Sequence, residues 1–261
     1  MRYFSSFDSV KIAYQIWGTA GTLPPVVLHH GFIVNASINW VAPGVVTALT
    51  NAGRQVVALD ARGHGASDKP RDPGFYGFEK MAGDVRQLFD IVGSAQIDLV
   101  GYSMGAIVSL VAASQDRRIR RLVVGGVGAG VVEPGGGDSR TNWGNALVAA
   151  LQAQDPARIT DPVARAFRAF ADSVGADREA LVAQAEALAA QPTARHRSRI
   201  LLNQITAPTL VIAGDNDPLA RRPEVLAASI ANAQTLLLPG DHLSVVRLPD
   251  FATAIVEFLA S

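Results

Sequence analysis

A serine, an aspartate and a histidine occur in this chain in an order that suits acyl transfer. The serine is Ser103, in Gly101-Tyr102-Ser103-Met104-Gly105. A serine hydroxyl is a poor nucleophile at neutral pH. It needs a base, an exposed geometry and a place for the developing oxyanion. Gly-x-Ser-x-Gly supplies that geometry on a sharp strand-to-helix turn, because the flanking glycines carry no Cβ to clash. By itself the pentapeptide also fits a glycine-rich turn bearing a solvated serine. Its flanks decide: residues 97–100 read as a strand and 104–113 as a helix.

On such a turn the chain order is serine, acid, histidine. Of His29, His30, His64, His196 and His242, only the last two follow Ser103. His196 sits in a basic helix-like patch, Ala194-Arg195-His196-Arg197-Ser198-Arg199. His242 follows a strand, in Leu238-Pro239-Gly240-Asp241-His242, and is the better general base. The acid orients the imidazole and stabilises the imidazolium. Asp215 and Asp217 follow the strand 209–214, and Asp217, beyond the strand end, reaches the base more readily. Asp215 is expected to cap the turn with its own backbone. Asp241, beside His242, is a third option. A second oxyanion N–H should come from the loop after an early strand. In His30-Gly31-Phe32, Gly31 is expected to permit an unusual backbone and the Phe32 N–H to face the substrate oxygen. The Met104 N–H, at a helix N-terminus, is the other donor. His30 is a hydrogen-bonding support or a loop-packing residue. Gly31 and Tyr102 are grouped with it around the pocket.

These residues need a frame. Apolar runs at 10–16, 25–30, 55–60, 97–101, 119–124, 209–214 and 234–238 read as strands. Helical periods cover 40–51, 78–92, 104–113, 223–231 and 251–259. Strands apolar on both faces and alternating with helices make a parallel sheet covered on both sides. Ligands then bind at the carboxyl ends of the strands, where each candidate falls. From about 129 to 204 no strand is evident. A loop at 133–138 precedes helical blocks at 142–152, 162–174 behind Asp161, and 178–190 behind Asp177. The division is therefore a core at 1–128 and 205–261 with a helical lid at 129–204; helices packed on the sheet edge are the alternative.

Composition excludes other classes. Of 261 residues 49% are hydrophobic and 18% charged, enough for a large core. Lys+Arg and Asp+Glu are both 23, so nothing favours nucleic acid or an anionic membrane. Cysteine is absent, which removes disulfides, thiolate catalysis and cysteine metal sites. No apolar stretch approaches a membrane span and no leader is visible, so a cytoplasmic protein is expected. Oligomeric state is not legible.

The set His30-Gly31-Phe32, Asp60-Ala61-Arg62-Gly63-His64-Gly65-Ala66-Ser67, Gly101-Tyr102-Ser103-Met104-Gly105, Ala207-Pro208-Thr209-Leu210-Val211-Ile212-Ala213-Gly214 with Asp217, and Pro239-Gly240-Asp241-His242 resembles the α/β-hydrolase superfamily. Within it the chain resembles the lid-bearing serine esterase and haloperoxidase-like branch. The resemblance covers nearly the whole chain. It implies a mostly parallel sheet with helices on both faces and a lid insertion. It implies Ser103 as nucleophile, Asp217 as acid, His242 as base, and Phe32 and Met104 as oxyanion donors, with no cofactor or metal. It implies that residues 60–67 form a structural loop. Ser103, where related branches carry aspartate, argues against the epoxide-hydrolase and haloalkane-dehalogenase types. The single glycine after His30 argues against the HGGG lipases and esterases. The missing cysteine argues against the dienelactone-hydrolase type. Asp241 departs from the glycine common before the histidine and is expected to perturb the base slightly.

The expected activity is hydrolysis of carboxylic esters of small to medium apolar substrates through an acyl-enzyme. Lid residues Leu147, Leu151, Phe167, Phe170, Leu181 and Leu188 suggest an apolar pocket, though most helical apolar residues simply pack. C–C bond hydrolysis, lactone opening and perhydrolysis on the same three residues are alternatives. So is a small-molecule receptor that keeps them without turnover.

Overall fold

The computed structural model describes residues 1–133, 143–189 and 201–260. Eight strands form one sheet in the order β1-β2-β4-β3-β5-β6-β7-β8. They are β1 Arg2–Ser5, β2 Lys11–Trp17, β3 Val26–His29, β4 Val56–Asp60, β5 Ile97–Tyr102, β6 Ile119–Gly125, β7 Thr209–Gly214 and β8 Ala233–Leu238. β1 and β2 pair antiparallel, β2 joins β4 antiparallel, and β4 through β8 run parallel. The strands β3, β4, β5 and β7 are buried at every residue, as their unbroken apolar runs require.

Side chains alternate between two layers. Val27, Val57, Leu59, Leu99 and Val124 pack with α2 (Phe78–Val92), α3 (Met104–Gln115) and α7 (Pro223–Ala227). Val26, Leu28, Val56, Ala58 and Val100 pack with α1 (Val45–Asn51) and α8 (Pro249–Ala260). The chain passes from β3 to β4 in one direction and from β5 outward to β8 in the other. The reversal between β3 and β5 opens a crevice at their carboxyl ends, the usual ligand position in such sheets.

Several expectations need correction. β1 was not anticipated: only Phe4 of its four residues is buried, so no apolar run marks it. The helix expected at 40–51 is broken. A wide turn at Ser37–Val41 and then Gly44, at φ +87°, precede the shorter α1. The helix expected at 223–231 ends at Ala227, where Ser229 and Ile230 N–H groups bond three residues back and tighten the turn. β8 is an edge strand and half exposed rather than buried.

Between β6 and β7 lie α4 (Trp143–Gln152), α5 (Pro162–Ser173) and α6 (Arg178–Ala189). Asp161 caps α5 by accepting from Ala164 N at 2.7 Å, and Asp177 accepts from Ala180 N at 3.2 Å ahead of α6. Leu147, Leu151, Ala171, Leu181 and Ala185 pack together and onto Ile33 and Phe32 of the loop after β3. Arg71 of the core forms a bidentate pair with Asp177. Residues 134–138 of the expected loop, Asn142, Ala190 and His196 lie outside the described residues. No helix among those described is long and apolar enough to cross a membrane.

At the opposite end of the sheet Asp98, fully buried, binds Arg54 and accepts from Arg120 Nε at 3.0 Å and Nη2 at 2.7 Å. Arg54 and Arg120 also donate to the Leu259 carbonyl at the end of α8. Two cations at a helix C-terminus complement its dipole and close the free carbonyls. Asp98 balances both guanidinium groups, so its removal strands a buried charge. Asp98→Ala is expected to destabilise the fold by about 3–5 kcal/mol. Urea unfolding measures this, and a loss below about 1 kcal/mol would show that the pair is not a structural anchor.

Candidate active site

Ser103 sits between β5 and α3 at φ +53°, ψ −112°, a conformation rarely tolerated by an L residue. Two close approaches hold it there. A Cβ on Gly101 would lie 2.3 Å from the Gly105 carbonyl oxygen, and one on Gly105 would lie 2.1 Å from that of His29. Only glycine allows α3 to start this near β3 and β5. The Ser103 N–H donates to Gly125 O at 2.8 Å, tying the turn to β6. The hydroxyl is thus aimed away from the sheet with little backbone freedom.

His242 Nε2 lies 2.9 Å from Ser103 Oγ, and its Nδ1 lies 2.7 Å from Asp217 Oδ2. With Nδ1–H donating to the carboxylate, Nε2 is placed to accept from the Ser103 hydroxyl. The three residues come from the ends of β5, β7 and β8, which the sequence separates by up to 139 positions. Asp217 has a fully buried side chain, and its second oxygen accepts from Leu219 N at 2.8 Å. Tyr102 donates from its hydroxyl to the His242 carbonyl at 2.6 Å, and burial pushes its pKa well up, so it remains a donor. Its ring packs beside the imidazole.

Asp215 differs from expectation. Its Oδ1 accepts from Gly240 N at 2.9 Å, across the gap to the loop that carries His242, rather than capping its own turn. The Asp241 carboxylate is taken up locally by Leu243 N, Ser244 N and the Ser244 hydroxyl. It does not face the imidazole as an alternative acid.

Gly31 also departs from expectation. It does not sit at positive φ; Ile33, at +76°, does. A Cβ on Gly31 would meet Ser103 Cβ at 3.4 Å, an ordinary contact. The strained position therefore falls after Phe32 rather than before it. Gly31 N donates to Asn39 Oδ1 at 2.9 Å, a support with no sequence signal because Asn39 lies within an apolar segment. The N–H groups of Phe32 and Met104 are without a hydrogen-bond partner among the described residues. They belong to the loop after β3 and to the first turn of α3.

The Asp60 to Ser67 turn is tied inward. Asp60 accepts from Ala36 N at 2.9 Å and Ala66 N at 2.8 Å, and Ser67 donates to Asp60 O at 2.5 Å. It carries His64, whose Nδ1–H donates to Arg62 O at 3.0 Å while Nε2 accepts from Ile33 N at 3.2 Å. His30 works alike: Nδ1–H donates to Gly31 O at 2.7 Å, and Nε2 accepts from Ala61 N at 2.9 Å. Both rings hold the Phe32 loop, so His30 is a hydrogen-bonding support; His64 is a support that the chain order of the site did not suggest. Each must stay neutral to accept. Burial lowers His30 and His64 to about 3 and His29 to about 4.

These shifts set a pH dependence. Well above pH 6.5 neither folded nor unfolded chain protonates the three rings. Below it the unfolded chain takes up protons that the folded cluster refuses until about pH 4 for His29 and about 3 for the other two. Stability therefore falls as pH drops from 6.5 towards 4, by up to about 4 kcal/mol per pH unit for three rings together. Urea unfolding at pH 7, 6 and 5 checks this. Equal stability at all three would contradict a neutral cluster.

Comparison with known proteins agrees with the geometry. The family model described as the alpha/beta hydrolase fold matches residues 24–246. The chain is 33% identical over 214 residues to the dihydrolipoyllysine-residue acetyltransferase component of the acetoin cleaving system of Pseudomonas putida. That match covers 79% of the chain and 55% of the relative, so the chain spans about half the length of that protein. A hydrolase from Pseudomonas aeruginosa PA01 is similar in structure with a TM-score of 0.78, at 30% identity, over 100% of this chain and 98% of that one. The enol-lactonase of Burkholderia xenovorans LB400 has a TM-score of 0.77 at 27% identity, with both chains covered fully. With the family match running from before β3 to beyond His242, the chain belongs to the α/β-hydrolase family.

Proposed function

We propose that this protein hydrolyses carboxylic esters by a two-step acyl transfer on Ser103. The hydrogen-bonded chain from Ser103 Oγ to His242 to Asp217 carries this reading. Ser103 attacks the ester carbonyl while His242 Nε2 takes its proton. The carbonyl oxygen becomes an oxyanion between the Phe32 and Met104 N–H groups, which are fixed before the reaction begins. The C–O bond breaks as His242 returns the proton to the leaving alcohol. Water, deprotonated by His242, then attacks the acyl-enzyme and frees the acid. The Asp217 carboxylate orients the ring and stabilises the imidazolium. No step calls for a cofactor.

The apolar side chains of α4–α6 next to Phe32 support a lid over residues 129–204 and small to medium apolar acyl groups. Lactone opening is a second reading, favoured by the full-length similarity to an enol-lactonase. It uses the same steps with the leaving alkoxide tethered to the acyl group.

Turnover of p-nitrophenyl butyrate tests the reading. Ser103→Ala is expected to lose about 10⁴-fold or more in kcat, and Asp217→Asn about 10⁴-fold, with folding intact. A Ser103→Ala protein that keeps wild-type turnover would refute it.

A further inference from the structure

Gln184 stands out on α6. Its side chain has no exposure, and the buried residues around it on the helix are apolar: Leu181, Ala183, Ala185 and Ala187. Its Nε2 donates to Met104 Sδ at 2.9 Å and lies 3.6 Å from Met81 Sδ. Thioether sulfurs are weak acceptors. Its Oε1 is buried without a hydrogen-bond partner among the described residues. Exchanging the amide's oxygen and nitrogen does not change this, since one atom would still face sulfur and the other nothing. A buried amide so poorly matched destabilises a helix that Met or Leu would pack without loss.

Its position gives the amide a use. One side of α6 meets the Met104 side chain and the cluster on which Phe32 packs. Leu181 and Ala185 pack in one cluster with Phe32, and Gln184 contacts the Met104 side chain. An acyl chain directed from Ser103 past the Met104 side chain towards α6 would reach this amide.

We propose that Gln184 is a specificity-determining residue whose amide oxygen accepts a hydrogen bond from a hydroxyl or amide N–H on the acyl chain. This rests on the ester-hydrolase reading and refines its substrate class. The preferred substrate then carries one donor group on an otherwise short apolar acyl chain. A buried acceptor built for such a donor discriminates against the analogue lacking it, because the acceptor is otherwise left unpaired.

The test compares kcat/KM for p-nitrophenyl 3-hydroxybutyrate and p-nitrophenyl butyrate. Wild type is expected to favour the hydroxy ester, and Gln184→Met and Gln184→Leu to reduce that preference by about 10-fold. A folding defect lowers both rates together and leaves their ratio unchanged, so the ratio isolates recognition. Two variants guard against one that packs badly. Turnover of both esters with an unchanged ratio in both variants overturns the assignment of Gln184 alone. No Ser103-dependent turnover of either ester overturns the ester reading, and this assignment with it.

Discussion

A methyl group on Gly105 would sit 2.1 Å from the His29 carbonyl oxygen, and one on Gly101 would sit 2.3 Å from that of Gly105. The site depends on this close packing of α3 against β3 and β5. It lets the chain turn at Ser103 through a left-handed conformation, which points the hydroxyl out of the sheet. The same approach brings the loop after β3 beside the first turn of α3. The parallel order of β3, β5, β7 and β8 then brings Asp217 and His242 to the same edge as Ser103.

The polar groups around Ser103 are held by backbone-to-side-chain hydrogen bonds. Asp217 is anchored by Leu219 N, Gly31 by Asn39, the His242 carbonyl by Tyr102, and Gly240 of the same loop by Asp215. Two neutral histidines extend the same logic to the Phe32 loop, each donating with one nitrogen and accepting with the other. Preorganisation of this kind removes the reorganisation that water would otherwise demand during the reaction. Its cost is acid sensitivity, since an imidazolium cannot accept. Against this background the buried amide oxygen of Gln184 has no hydrogen-bond partner among the described residues.

What the sequence made legible follows from the range of each interaction. The elbow is encoded by five consecutive residues, and its flanking strand and helix have strong local patterns. Asp217 and His242 could be chosen because strand ends converge in a parallel sheet, so chain order stands in for distance. β1 was hidden because a single buried Phe4 makes no pattern. Gly44 split a periodic segment into two helical pieces because its positive φ overrode the spacing of Val45 and Leu49. Gly31 was misread because the strain falls at Ile33, where nothing in the residue type announces it. Asn39, Asp215 and Gln184 act on partners 8, 25 and 80 residues away, and no local signal carries such a contact.

Ser103, and no other group, is expected to become covalently acylated. Mixing the protein with p-nitrophenyl acetate in a rapid-quench experiment, followed by peptide mass mapping, tests it directly. A burst of about one p-nitrophenolate per chain, with the acetyl group on the peptide that holds Ser103, is the predicted result. Turnover with no acyl-protein, or an acetyl group on another residue, would contradict it.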